Sequence, residues 1–176
     1  MMPHSMFILV RVIHIVVAVC WVGAVVFISD FLLPTMKAVG PAAGPVMGHL
    51  TQVKKLPAVL MSGAVVTVLS GVTLFWYDSV GFKSDMWMHS ATGLAFSVGG
   101  TIGIIVAILA IMVNSPTARK LGALGAAVHA SGGAPSAAQT AEMERLQHRL
   151  ASAMKLAARL LILAACAMAI ARYLPF

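Results

Sequence analysis

The chain has 176 residues, 60% of them hydrophobic and only 10% charged, against roughly 25% charged in a typical soluble domain. That balance excludes an ordinary water-soluble globular protein, because a domain of this size keeps too much of its volume near the surface to bury so much apolar area. The formal charge of +7 does not point to a nucleic-acid partner: no basic run interleaved with aromatics occurs, and membrane proteins collect Lys and Arg in their cytoplasmic loops.

About 20 helical residues cross a hydrocarbon core of about 30 Å. Four runs meet that length: 6–33, 56–77, 86–113 and 150–174. The first is uncharged from Val12 to Ser29, the second and third carry no charge, and the core of the fourth is interrupted only by Arg159 and Arg172. The first run is longer than a signal-peptide core and no small-x-small site closes it, so it reads as a retained helix. Each span has to satisfy its own backbone hydrogen bonds, so all four read as helices.

The connections differ. Residues 34–55 read as a loop punctuated by Pro34, Gly40, Pro41, Gly44 and Pro45, with a helical lead-in from Pro45. Residues 78–85 form a short turn, which implies antiparallel neighbours. Residues 116–130 predict a short interfacial helix. A Ser/Gly/Ala/Pro breaker follows at 131–136, and the last helix is expected to start near Thr140. The fold class expected is thus an all-α integral membrane protein, a single domain built as an antiparallel four-helix bundle.

Lys37, Lys54, Lys55, Arg119, Lys120, Arg145, Arg149 and Lys155 fall on one side of this plan, and only Arg11, Lys83 and Arg172 on the other. The positive-inside rule places the first group in the cytoplasm and both termini on the periplasmic side of a bacterial inner membrane. Trp76, Tyr77, Trp87, Tyr173 and Phe176 all fall at the outer interface, where amphipathic rings prefer to sit.

Ionisable groups inside a bilayer are costly and are functional candidates by default. Arg11, His14, Ala18 and Trp21 fall on one helical stripe. Arg145, His148, Ser152, Lys155 and Arg159 fall on another, and Gly63, Thr67 and Gly71 form a small-residue stripe that lets a helix approach closely. His14 and His89 lie in the outer halves of two helices that run in the same direction. A pair of neutral imidazoles suits haem iron, or copper or zinc. Arg11 and Arg159 are candidate partners for an anion such as a haem propionate, Trp21 is a candidate to pack beside the macrocycle, and His49 and His148 form a second tier. Met86 and Met88 flank His89 closely enough to offer thioethers to copper. Cys20 and Cys166 both lie in apolar runs, which argues against a disulfide framework.

The string Val12-Ile13-His14-Ile15-Val16-Val17-Ala18-Val19-Cys20-Trp21-Val22-Gly23 resembles the first helix of CopD-like copper-resistance membrane proteins and of the HemJ-type protoporphyrinogen oxidases. Trp87-x-His89 is similar to the HemJ pattern too. The resemblance implies haem b or copper, with His14 as the ligand. Ser90, Ala91 and Thr92 follow His89 where HemJ-type proteins carry a Lys, and no Asn-Glu pair occurs, so the resemblance extends to the haem site and not to protoporphyrinogen oxidation. CopD-like proteins also have more than four helices. The reading from sequence is a haem-b protein of electron transfer or redox chemistry, with a quinone or a redox protein as partner. The alternatives are a copper-handling protein, and a non-catalytic accessory subunit of a larger complex or a homo-oligomer.

Overall fold

The computed structural model describes residues 3–174; Phe176 of the expected aromatic belt lies outside them. Every regular element among the described residues is helical. Four helices are long and apolar enough to cross a membrane: α1 (His4–Val39), α3 (Leu56–Asp78), α5 (Ala91–Ala130) and α6 (Ala137–Ala171). Two short helices lie between them, α2 (Gly44–Gly48) and the single turn α4 (Asp85–Met88). Helices α1 and α3 pack as one antiparallel pair and α5 and α6 as another. Contacts of α3 with α5 and of α1 with α6 close the ring.

The first and last described residues lie at one end of the bundle, here the terminal end. The Phe7 ring packs on Tyr77 at 4.7 Å between centroids, and the Thr92 hydroxyl donates to the Leu174 carbonyl at 2.9 Å. Trp76, Tyr77, Trp87 and Tyr173 gather at that same end. The opposite, distal end carries the 40–55 connection and a helical hairpin formed by the far parts of α5 and α6.

The packing is inverted relative to a soluble bundle. Ala64, Ala157, Ala158, Ala164 and Ala171 are buried, while Val19, Phe31, Leu69, Leu94, Ile111 and Leu163 are exposed. Small residues inside and large apolar residues outside let helices approach by van der Waals contact when the surroundings are themselves apolar. A cluster fed by all four long helices sits in the distal half, with Trp21, Val25 and Ile28 from α1, Ala64 from α3, Val106 from α5, and Met154, Ala158 and Leu161 from α6.

Several boundaries differ from those expected. Pro34 and Pro116 do not end their helices. A π-turn precedes each, over Ile28–Leu32 and Ala110–Asn114, and the helix resumes with the proline in its first turn. Proline lacks an N–H and crowds the carbonyl four residues back; the wider turn takes up that misfit and the helix continues. The first helix therefore runs on to Val39. Residues 116–130 are helical as expected; the helix follows directly on the π-turn, continues α5 and packs along α6.

The third span starts later than 86. Residues 85–88 form α4, and α5 begins after Ser90, whose hydroxyl accepts from the Gly93 N–H at 3.1 Å. Helix α6 starts at Ala137 rather than near Thr140, because Ser136 and Gln139 close a reciprocal capping box. The turn between α3 and α4 carries three successive residues with positive φ, Val80, Gly81 and Phe82. The buried Ser79 hydroxyl holds it, accepting from the Phe82 N–H at 3.0 Å.

Gly93 fixes how α4 meets α5, since a Cβ there would clash with the Trp87 carbonyl oxygen. Gly93→Ala should lower the thermal midpoint in detergent, at a cost of about 3 kcal/mol. At Gly103 an added Cβ meets nothing within 4 Å, and Gly103→Ala should be neutral or stabilising by up to about 1 kcal/mol through helix propensity. Equal midpoints for the two variants would contradict the close approach at Gly93.

Candidate functional site

Phe7, His14, Trp21 and Ile28 recur every seven residues along α1 and turn one stripe of that helix towards its neighbours. Phe7, Trp21 and Ile28 are buried and His14 is half-buried. Opposite this stripe α3 presents small residues. A Cβ on Gly63 would lie 3.3 Å from the Trp21 Cβ, and one on Gly71 would lie 2.9 Å from the His14 Cε1. The small-residue stripe expected on the second span thus serves α1, with the Trp21 and His14 rings seated over its two glycines.

His14 Nδ1 lies 3.0 Å from the Thr67 carbonyl oxygen and 3.1 Å from the Ser70 hydroxyl. A carbonyl can only accept, so Nδ1 carries the proton and donates. The Ser70 hydroxyl gives its own proton to the Val66 carbonyl one turn back and can share in accepting from Nδ1. This network places a proton on Nδ1, so that in the neutral ring the lone pair lies on Nε2, and no hydrogen bond joins Nε2 to any described residue. A ring nitrogen anchored to a backbone carbonyl while the other keeps its lone pair is the arrangement that metal-ligating histidines adopt. The neighbouring Thr67 Oγ1 is buried without a hydrogen-bond partner among the described residues.

A groove of about 400 Å³ opens beside this histidine between the outward faces of α1 and α3, lined by Met6, Val10, Ile13, Leu69, Ser70 and Thr73. Ser70 links it to the imidazole. Arg11, one turn nearer the terminal end than His14, is half-buried and makes no ion pair among the described residues.

The remaining candidates lie elsewhere. His89 is exposed just after α4, its Nδ1 donating to the Asp85 carbonyl at 2.8 Å within its own turn. His14, by contrast, meets α3 about two helical turns in from Phe7, so the structure does not bring the two histidines together. Met86 is 85% exposed and Met88 is half-buried. His49 and His148 are exposed at the distal end. Trp21 does line the α1–α3 seam, two turns beyond His14. Among the described residues no group of three or more His, Cys, Asp and Glu side chains is placed to hold a metal ion.

Arg159 has a partner within the chain. Its Nη1 donates to Asp30 Oδ2 at 3.0 Å, and the same carboxylate accepts from the Ser29 hydroxyl at 2.8 Å. The pair ties α6 to the π-turn of α1. Sequence reasoning placed Thr67 on the right stripe but not Ser70; a second hydroxyl three residues on, on the same helical face, was the available signal.

Comparisons with family models, with curated proteins and with solved structures return no match. The site is therefore read from its own chemistry. Gly71→Ala should push the imidazole off the α3 backbone and lower the thermal midpoint, at a net cost of about 1–2 kcal/mol once overpacking is set against the gain in helix propensity. Gly23→Ala, where an added Cβ meets nothing within 4 Å, should not lower it. A midpoint in Gly71→Ala at or above that of the parent would show that the ring is not wedged there.

Proposed function

We propose that this chain is a multi-pass protein of a bacterial inner membrane, with both termini on the periplasmic side, that binds haem b through His14 and takes part in electron transfer. The observation that carries the reading is the state of His14: an imidazole set among apolar helices, its Nδ1–H committed to the Thr67 carbonyl and its Nε2 lone pair uncommitted. Lys and Arg concentrated at the distal end support the orientation.

The residues fit one half of a haem site. His14 offers a ligand whose ring plane is fixed in advance by α3, which removes the cost of ordering it on binding. Bound haem would supply a one-electron couple. Half-buried Arg11 lies at i−3 from His14 on the same stripe, where a guanidinium can meet a carboxylate. His89 stands apart on the exposed turn, so His14 alone is assigned as ligand. Arg159 is assigned to Asp30 and not to a propionate.

A second reading rests on α4. Met86 and His89 are i,i+3 neighbours, both exposed at the terminal end, and a thioether beside an imidazole suits Cu(I).

The test is the reduced-minus-oxidised spectrum of the full chain, purified in detergent after haem-supplemented expression. The parent should show a Soret band with iron by elemental analysis, His14→Ala should lose it, and His89→Ala should keep it. No Soret band in the parent sinks the haem reading, and copper without iron, lost in His89→Ala, would favour the second.

A further inference from the structure

The cationic stripe of α6 remains outside this site. Arg145, His148, Ser152, Lys155 and Arg159 follow one another at spacings of three and four and are all exposed, so they form one outward face running from the distal hairpin into the apolar part of the helix. A solvated charged face is the ordinary explanation for such a row, and for Arg145 it suffices, since it forms a two-pronged pair with Glu142 at 2.7 Å.

It does not suffice for the inner part of the stripe. Leu174, held to Thr92, marks the terminal end. By helical rise Arg159 stands roughly 20 Å from that end and Lys155 roughly 25–28 Å, within a hydrocarbon core of about 30 Å. Side chains on α6 tilt towards its N-terminus, and so towards the distal end. The Arg159 guanidinium thus reaches back along the helix onto Asp30, and the Lys155 ammonium ends at headgroup level.

Asp30 is the only carboxylate at this level among the described residues, and it accepts from Arg159. One of the five N–H donors of Arg159 is thereby used. The others, and all three of Lys155, have no acceptor among the described residues, and both side chains are exposed. Two cations against one carboxylate, exposed at the apolar–polar boundary, are placed to take an anion from the surroundings.

We propose that Lys155 and Arg159, with the Ser152 hydroxyl one turn beyond, bind the phosphate headgroup of an anionic phospholipid in the leaflet at the distal end. Asp30 positions the guanidinium; Lys155 supplies the uncompensated charge. The proposal rests on the reading that the bundle spans a bilayer and is independent of haem.

The experiment is native mass spectrometry of the full chain released from micelles doped with equal amounts of phosphatidylglycerol and phosphatidylcholine. The parent should retain phosphatidylglycerol preferentially. Lys155→Gln should reduce that preference about fivefold, the effect of one lysine near a charged headgroup. Lys155→Arg should preserve it, and so should Lys83→Gln at the terminal end. Retention by Lys155→Gln equal to the parent's, or no preference in the parent, overturns the lipid site. Entry of the parent into nanodiscs of phosphatidylcholine alone tests the spanning reading separately. Failure to enter overturns both, whereas entry without any preference for phosphatidylglycerol overturns the lipid site only.

Discussion

The Nδ1–H of His14 is held on the Thr67 carbonyl across the interface of α1 and α3, and that bond is possible only because α3 carries glycine where the ring lies. With a side chain at position 71 the imidazole would meet a Cβ at 2.9 Å, and the helices would have to separate. The same device recurs at Trp21 over Gly63. Rings seven residues apart on one helix, glycines eight apart on the other, and the tilted Phe7–Tyr77 contact at the terminal end fix the spacing of this pair over most of its length. The chemistry available to His14 follows from the packing: proton on one nitrogen, lone pair on the other, ring plane set by the wedge.

Around that seam the bundle is built inside out. Alanine and glycine fill many of the helix contacts around a small cluster of larger side chains, while most valine, leucine and isoleucine side chains on the rim face outward, so close approach of the helices contributes much of the cohesion. Charges obey the same economy. Arg159 and Asp30, 129 residues apart in sequence, meet where α6 passes the π-turn of α1. Pro34 lies just beyond that turn, so one local irregularity both carries the helix through a proline and presents the carboxylate that the arginine needs.

Much of this was legible in the residues. Run lengths gave four long helices, the short 78–85 connection made α3 and α5 antiparallel neighbours, and the spacing of Gly63, Thr67 and Gly71 marked a face for close approach. The placement of His14 on an inward stripe with Trp21 came from the helical period alone. Pro34 and Pro116 misled, because proline signals a break, while the π-turn that precedes each one and lets the helix continue has no signature in the residues. Ser136-x-x-Gln139 was a readable cap, outweighed by the Gly/Pro cluster just before it. His89 looked like the start of a span because apolar residues continue on either side of it; the Ser90 cap, with the Trp87 carbonyl pressed against Gly93, places it on an exposed turn instead. The partner of Arg159 was the one acid near enough to matter, but only the three-dimensional arrangement brings it within 3.0 Å.

The central claim is that α3 dictates the protonation pattern of His14. Nitrogen-15 NMR of the histidine-labelled chain in micelles, with the His14 signals identified by their loss in His14→Asn, reads it directly. The account predicts a proton on Nδ1 and a bare Nε2 in the absence of any bound metal. A proton on Nε2 with Nδ1 bare would contradict it, since no carbonyl could then be the partner of Nδ1.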